Sequence, residues 1–570
     1  MNASLPSALA GLMRPEAYPH PVDTVELVET HISWVLLAGE FAYKIKRPVR
    51  YPFVDLTSLG RRRFLCEEEL RLNRRFAPEL YRALSPIIVA NGRAKFESGA
   101  SGNGDAPASD GEAATNDGEE PTRDGRTVND RKGAIEYAVK MRRFASADEL
   151  DRLLESRRIE PQELESFGRA LAHIHAGLPA VAEASKWGRP AEVHAQLLRN
   201  VLECAEASAV FATSSDVLAL RRTLEERLSA SALWMAARRA NGRVRECHGD
   251  LHCRNVVRLA GRLVAFDCLE YEPAFRWIDI ADEMACLSSD LKARGRPLHA
   301  QAFRGGYLAE SGDYHACRML PLYEAHRALV RAKVAALSAM PVADAVRREA
   351  LRREHVRLIE AAADALAVKT PRLLLMSGLS GSGKTWLARQ LADRLLAVHI
   401  RSDVERKRRA GLRENAPSHA RLGEDLYSSE ASEALYEALA RDAEDVLGGG
   451  ISVIVDATFL RRAQRTRFIE LAASHGVPLR LIQCEAPEAV LRARIVERSR
   501  ARRDASEADL KVLEWQMAHR EALTPDEEVE AIRVDTACLS ALDQTLRALS
   551  GHAARTRPSG TRMPAELRRR

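Results

Sequence analysis

Two runs near the start of the chain, THISWVLLAG and EFAYKIKRPV, alternate hydrophobic and polar positions, the period of strands with one buried face. They meet at Gly39-Glu40, so the pattern over residues 24–55 predicts a hairpin that opens a small sheet. In LGRRRFLCEEELRLNRRFAPELYRAL, Phe64, Leu65, Leu70 and Leu72 recur among charges at helical spacing, and Pro78 predicts the helix end. SPIIVA and IEYAVKMRRF read as two further strands, joined as a hairpin with an overgrown tip. That tip, residues 97–127, has no aliphatic larger than alanine and no aromatic, and between 97 and 120 it holds seven acids and no base. It cannot bury itself and is expected to be a disordered loop.

From Asp148 to about Ala240 the pattern is helical, and helices resume from about 277 to 367. The Ala-rich, charge-laced stretch 341–370 predicts a connecting helix ended by Pro371. PRLLLMSGLSGSGKTWLARQLADRL then reads as a buried strand, a glycine-rich turn and a helix in succession. The expected organisation is a first domain over 20–340, the connecting helix, a second domain over 371–550, and a disordered basic tail over 551–570.

Composition excludes wholesale disorder and a single small module: 570 residues are 46% hydrophobic and 29% charged. The net charge of +6 gives no nucleic-acid footprint, because the last twenty residues carry six arginines against Glu566 and leave the rest near +1. Nine cysteines without a CxxC pair predict reduced thiols and no zinc site. No signal peptide and no uncharged apolar run of the ~20 residues that span a bilayer is present, so the expected location is cytoplasmic, with no membrane partner.

Gly378, Leu379, Ser380, Gly381, Ser382, Gly383, Lys384 and Thr385 match GxxxxGK[ST] in the required strand-to-helix context. Glycines there let backbone N–H groups converge on phosphate oxygens, Lys384 reaches the β and γ phosphates, and Thr385 offers a hydroxyl to Mg²⁺. The expected ligands are ATP and Mg²⁺, with GTP an open alternative; the competing account is a chance glycine turn. Asp403 in HIRSDVERKRR stands at a strand's carboxyl end, as a base for an attacking hydroxyl or as a helix N-cap. Asp456 ends the apolar strand ISVIVDATF, where a magnesium-holding acid is expected. Arg494 and Arg498, with Arg502 beyond them, share a helix face that can close over phosphates or simply face water. GLSGSGKT, RSDVERKR, VIVDATF and RIVERSRARRDAS together resemble the small P-loop kinases related to polynucleotide kinase and zeta-toxin folds, over residues 371 to about 545. This resemblance implies an α/β P-loop NTPase domain with a parallel sheet.

In the first domain, HGDLHCRN is followed twelve residues later by Asp267. That spacing suits Asp250 as a base on a substrate hydroxyl, with Asn255 and Asp267 as metal ligands; capping and turn roles are the bland alternative. Lys44 in FAYKIK can reach phosphates if a helix acid holds it, with Glu69 chosen for that acid and Glu67 the fallback. Met141 is placed at the interlobe hinge beside the adenine, or simply in the core. HGDLHCRN with FDCLEYEPAFRWIDIADE resembles the aminoglycoside phosphotransferase family across about residues 20–340. That resemblance implies an α+β bilobal protein-kinase-like domain, with Asp279 supporting the loop. No GxGxxG precedes Lys44, only VETHIS, so phosphate cover would fall to Thr30 or Ser33.

The tandem order resembles bacterial proteins that join a phosphotransferase-like domain to a P-loop kinase. It implies an ATP-dependent kinase with two nucleotide sites and small-molecule hydroxyl acceptors. Aminoglycosides themselves are disfavoured, since the carboxylate supply beside the loop is only moderate for a polycation. Two alternatives stay open: a P-loop kinase regulated by a degenerate first domain, and a nucleic-acid end kinase. Tyr427 and Arg421 are candidate acceptor contacts.

Overall fold

The computed structural model describes residues 5–51, 54–97, 133–414, 416, 428–501 and 505–553. The acidic stretch 97–127 apart from Glu97, the tail beyond residue 553, Arg421, Tyr427 and Arg502 therefore lie outside the described residues. Two compact units emerge: residues up to 303 with 322–366, and 304–321 with those from 367 onward. Among the described residues no helix is long and apolar enough to cross a membrane.

The first unit opens with an antiparallel sheet. Strands β1 Val25–Glu29, β2 Ser33–Ala38 and β3 Phe41–Lys46 lead past the small pair β4 Arg50–Tyr51 and β5 Val54–Asp55 to helix α1 Leu59–Asn73; β6 Tyr81–Ala90, β7 Arg93–Phe96 and β8 Ala134–Arg142 follow. The sheet order is β1-β2-β3-β8-β6-β7. Gly39 adopts φ 57° in the β2–β3 turn, a conformation glycine enters without a Cβ penalty. The β6–β8 pair exists, but β7 folds back on β6 before the tip, a strand that RAKF is too short and too charged to announce. Helix α1 ends at Asn73 rather than at Pro78, and a turn fills the interval.

Period two divides β3 between two surroundings. Tyr43 and Ile45 join a core with Leu12, Leu36, Phe96 and Ala138. On the opposite face Ala42 packs with Cys66 of α1, Val139 and Met141 of β8, and Val257 and Val264, leaving Lys44 and Lys46 on that same inner face. Below lie helices α2 Leu150–Glu155, α3 Pro161–Gly177, α4 Pro190–Ala207 and α5 Ser214–Ala240. Two hairpin-like pairs follow, β9 Val244–Glu246 with β12 Trp277–Asp279 and β10 Val256–Leu259 with β11 Arg262–Ala265. Residues 277–279 are thus a strand rather than the start of a helix. Helices α6 Ile280–Ala293, α7 Pro297–Ser311, α8 Ala316–Ala339 and α9 Ala345–Leu366 complete the run.

The second unit is a parallel sheet in the order β14-β15-β13-β16-β17. In sequence it runs β13 Leu373–Ser377, α10 Lys384–Leu395, β14 Val398–Arg401, α11 Ser402–Arg409, α12 Ser429–Gly448, β15 Val453–Asp456, α13 Arg462–Ser474, β16 Leu479–Glu485, α14 Glu488–Ala501, α15 Leu510–His519, α16 Pro525–Val529, β17 Ala531–Asp535 and α17 Ala541–Ala553. Central β13 is buried at every position, as a strand covered on both faces requires. Residues 304–321, parts of the continuous helices α7 and α8 and the turn between them, are grouped with this unit. Tyr314 donates to Glu405 of α11 at 2.9 Å and Arg318 pairs with Asp445 of α12 at 2.5 Å. Residues 345–366 of the expected connector belong to the first unit.

Candidate functional sites

In the first unit the loop after β9 carries His248-Gly249-Asp250, and three buried acids of α6 hold it. Glu283 accepts from the backbone N–H of His248 at 3.0 Å and of Gly249 at 3.1 Å. Asp282 binds Arg327 through both oxygens at 2.7 Å, and Arg327 donates onward to the Gly249 carbonyl at 2.9 Å. Asp290 accepts from Cys253 N–H at 2.9 Å. Gly249 sits at φ 88°, and a Cβ there would lie 2.8 Å from the Phe275 carbonyl. Asp279 instead caps α6 and pairs with buried Arg238 at 2.7 Å, while in the same FRWIDIADE run Glu283 contacts the loop directly and Asp282 acts on it through Arg327.

Asp250 is the loop's reaching group, with its side chain one third exposed and 3.4 Å from the His252 ring. Burial pushes its carboxyl up, but His252, Arg331 and His248 outweigh that and hold it below the ordinary range. Asn255 donates to the Asp250 carbonyl at 2.9 Å, which turns it back on the loop. His248 contacts the Phe266 carbonyl at 2.8 Å, tying the loop to the segment that delivers Asp267. Asp267 adopts φ 63°, its N–H donates to the Tyr81 hydroxyl at 3.0 Å, and its carboxylate meets Lys44 at 2.5 Å.

Lys44 also pairs with Glu69 at 2.9 Å. Burial alone would lower its pKa, but Asp267 and Glu69 raise it well above the usual lysine value. Glu67 points elsewhere, to Arg63. The residue missed by sequence reasoning is Lys46, which has no exposure and lies between Glu69 and Glu270. The period of β3 that placed Lys44 on the inner face also places Lys46 there. Met141 is buried among Ala42, Val257, Leu259 and Val264. The turn between β1 and β2 is tight: Thr30 Oγ1 accepts from Ser33 N–H at 2.9 Å and donates to the Ser33 carbonyl. Ser33 is itself fully buried. The Thr30 hydroxyl is thus engaged by the turn itself, and the Ser33 Oγ is buried without a hydrogen-bond partner among the described residues.

In the second unit the phosphate loop leaves the carboxyl end of β13, where parallel sheets bind ligands. Gly378, Gly381 and Gly383 have φ values of 141°, 80° and 78°. A Cβ at Gly378 would sit 2.4 Å from the Cys484 carbonyl. Within this cradle the Ser382 hydroxyl is buried with no hydrogen-bond partner among the described residues, and Lys384 Nζ donates to the Leu379 carbonyl at 2.9 Å. A buried orphan hydroxyl, a lysine resting on a backbone oxygen and three left-handed glycines fit a phosphate chain. Burial lowers the Lys384 pKa, against the pull of Asp456 and Asp403.

Asp456 ends β15, 3.3 Å from the His399 ring. Burial raises its carboxyl, yet His399, Lys384 and a hydrogen bond from Thr385 bring it below the usual value. Asp403 stands two residues beyond the carboxyl end of β14, in the first turn of α11, whose N-cap is Arg401. Lys384, Thr385, Asp403, Asp456, Arg494 and Arg498 line one cleft of about 1200 Å³. Arg494 bridges the Gly381 carbonyl at 3.2 Å and Thr536 at 3.0 Å, while Arg498 donates to the Ala508 carbonyl at 2.8 Å. Gln516, which no motif flags, accepts from Ser380 N–H at 2.8 Å.

Comparison with known proteins matches residues 125–320 to the family described as "Phosphotransferase enzyme family" and residues 373–523 to that described as "AAA domain". The uncharacterized protein Rv2004c of Mycobacterium tuberculosis (strain ATCC 25618 / H37Rv) is 27% identical over 514 residues, 88% of this chain and 93% of its own. Among solved structures, a gluconokinase from Sinorhizobium meliloti 1021 is 20% identical over 33% of this chain and 96% of its own, with a TM-score of 0.25. The Mycobacterium tuberculosis APS kinase CysC, in complex with AMPPNP and APS, is 18% identical over 32% and 97%, with a TM-score of 0.23.

Proposed function

We propose that this chain, a phosphotransferase-family domain followed by a P-loop kinase domain, transfers the γ-phosphoryl group of ATP to hydroxyls of small molecules at two separate sites. The observation that carries the reading is the convergence of Lys44, Glu69 and Asp267 in the unit whose loop presents Asp250 and Asn255. Bound ATP with Mg²⁺ supplies the phosphoryl group and the charge that activates it. In the first unit Lys44, oriented by Glu69, would hold phosphate oxygens, Asn255 and Asp267 would hold the metal, and Met141 with Ala42 would form the apolar slot for the base. Asp250, kept ionised by His252 and Arg331, orients the acceptor hydroxyl and takes its proton as the new bond forms.

In the second unit Lys384 and the amides from Gly378 to Thr385 would hold phosphates, and Thr385 and Asp456 the metal. Asp403 is the base there. Arg498 screens the charge that develops on the transferring group, and Arg494 braces the loop from behind. The test is a calorimetric count of Mg-ATP sites on the full chain and on Lys384→Ala. Two sites falling to one support two catalytic units. One site falling to none would overturn that and favour a P-loop kinase regulated by the first unit, a reading that rests on the closed Thr30 turn.

A further inference from the structure

The acids around the Asp250 loop are already engaged. Asp279 is bound by Arg238, Asp282 by Arg327, Glu283 by two backbone amides, Glu270 by Lys46 and Glu272 by the N–H of Ala274. The buried acids of this set are thereby committed, and half-buried Glu272, held by one backbone N–H, is the single one left to face a cation without a charged partner of its own among the described residues.

The cations are arranged differently. Helix α8 carries Arg327 and Arg331 one turn apart, hence on one face, and Arg327 touches the Gly249 carbonyl of the loop. Arg331 is only 9% exposed, its Nε is buried with no partner, and it makes no hydrogen bond or ion pair among the described residues. The two acids it acts on electrostatically, Asp250 and Asp290, have closer partners of their own in His252, and in Cys253 N–H and Arg294. An unpaired guanidinium taken out of water is costly unless something fills its donors. Planar, forked donors suit the two oxygens of a carboxylate or phosphate.

We propose that Arg331 anchors the acceptor of the first unit, and that this acceptor is a hydroxylated acid: an alcohol bearing a carboxylate or a phosphate monoester on the same small molecule. The inference rests on the first unit being a phosphotransferase. With its acid on Arg331, such a molecule turns a hydroxyl toward Asp250, and its phosphorylation forms the O–P bond as the acceptor proton passes to Asp250 and ADP leaves.

The test is calorimetric binding to the full chain carrying Lys384→Ala, with Arg331 intact, Arg331→Gln or Arg331→Lys. The probes are glycerate, glycerol 3-phosphate and glucose 6-phosphate, set against glycerol, glucose and glucosamine. The expected result is that an acid binds at least roughly tenfold more tightly than its neutral parent, that Arg331→Gln erases the preference, and that Arg331→Lys keeps part of it. Comparing glycerate with the phosphate esters identifies the preferred acid. No acid preference, a preference that survives Arg331→Gln, or tighter binding of glucosamine would overturn the proposal. Arg331→Gln withdraws a charge that Asp250 and Asp290 feel, so a modest fall in melting temperature is expected, and Arg331→Lys should restore it. Acid binding lost in Arg331→Gln and not recovered at all in Arg331→Lys would make the arginine structural and also overturn the proposal. Binding needs no turnover, so Arg331-dependent binding without phosphorylated product on adding Mg-ATP would overturn the kinase reading of the unit and leave the anchor standing.

Discussion

Lys44 and Lys46 leave the same face of β3, yet their replacement by methionine should have opposite signatures. Lys46 is wholly buried between Glu69 and Glu270, so Lys46→Met leaves two buried carboxylates with Lys44 as their nearest cation. Breaking a buried pair from one side costs about 3–5 kcal/mol, and each ~1.4 kcal/mol is a factor of ten. The opening equilibrium of the surrounding sheet should therefore rise by roughly a thousandfold. Lys44→Met strips its partners less: Glu69 keeps Lys46, and the Asp267 side chain is 43% exposed and turns to water, so ~1 kcal/mol is expected. Amide hydrogen exchange along β3 and β8 reads the difference directly, without assuming that a two-unit chain unfolds in one step. Nucleotide binding by the folded first unit should fail in Lys44→Met even though exchange is nearly normal. Glu270→Gln added to Lys46→Met should recover part of the protection, since one orphan carboxylate goes. Exchange in Lys46→Met indistinguishable from wild type, or slower than in Lys44→Met, would refute this account of the cluster.

Burial carries the Glu283 carboxyl up to about 7, above its unfolded value of about 4.3. The folded unit then holds an extra proton, so this contribution to stability is present below the unfolded pKa and is lost as pH rises through about 7. Thermal melts across that window should show a falling midpoint in wild type and a flatter one in Glu283→Gln. Gly378→Ala forces a Cβ to 2.4 Å from the Cys484 carbonyl at φ 141°; a strain of ~1–3 kcal/mol should lower the melting midpoint of the second unit and abolish its nucleotide binding in calorimetry. Arg494→Ala removes the brace on Gly381 and Thr536 and should weaken ATP binding roughly tenfold even without an acceptor, whereas Arg498→Ala should lower kcat with little change in ATP affinity.

The linear pattern carried the order of the two units and the residues of both loops, because each motif is local: a strand, a turn and a helix start within a few residues. GLSGSGKT needs glycine at three positive-φ positions whatever surrounds it, and the six residues of FAYKIK alternate by the geometry of a strand alone. Helix α1 likewise offered Glu67, Glu68 and Glu69 at a spacing where only packing on the sheet decides which faces inward. Glu69, chosen over Glu67 on the sequence, is the one that meets Lys44, because that position of α1 points to the inner face of β3. Tertiary structure also revealed Lys46 and Glu270, residues 224 apart in sequence, whose pairing depends on two segments meeting in space. Contacts such as Tyr314 to Glu405 join residues 91 apart in sequence and are likewise fixed only by packing. Motifs that bind through backbone conformation are written in consecutive residues. The charge partners that hold those motifs in place, and the burial of Arg331 without a hydrogen-bond or ion-pair partner among the described residues, exist only once distant segments are brought together.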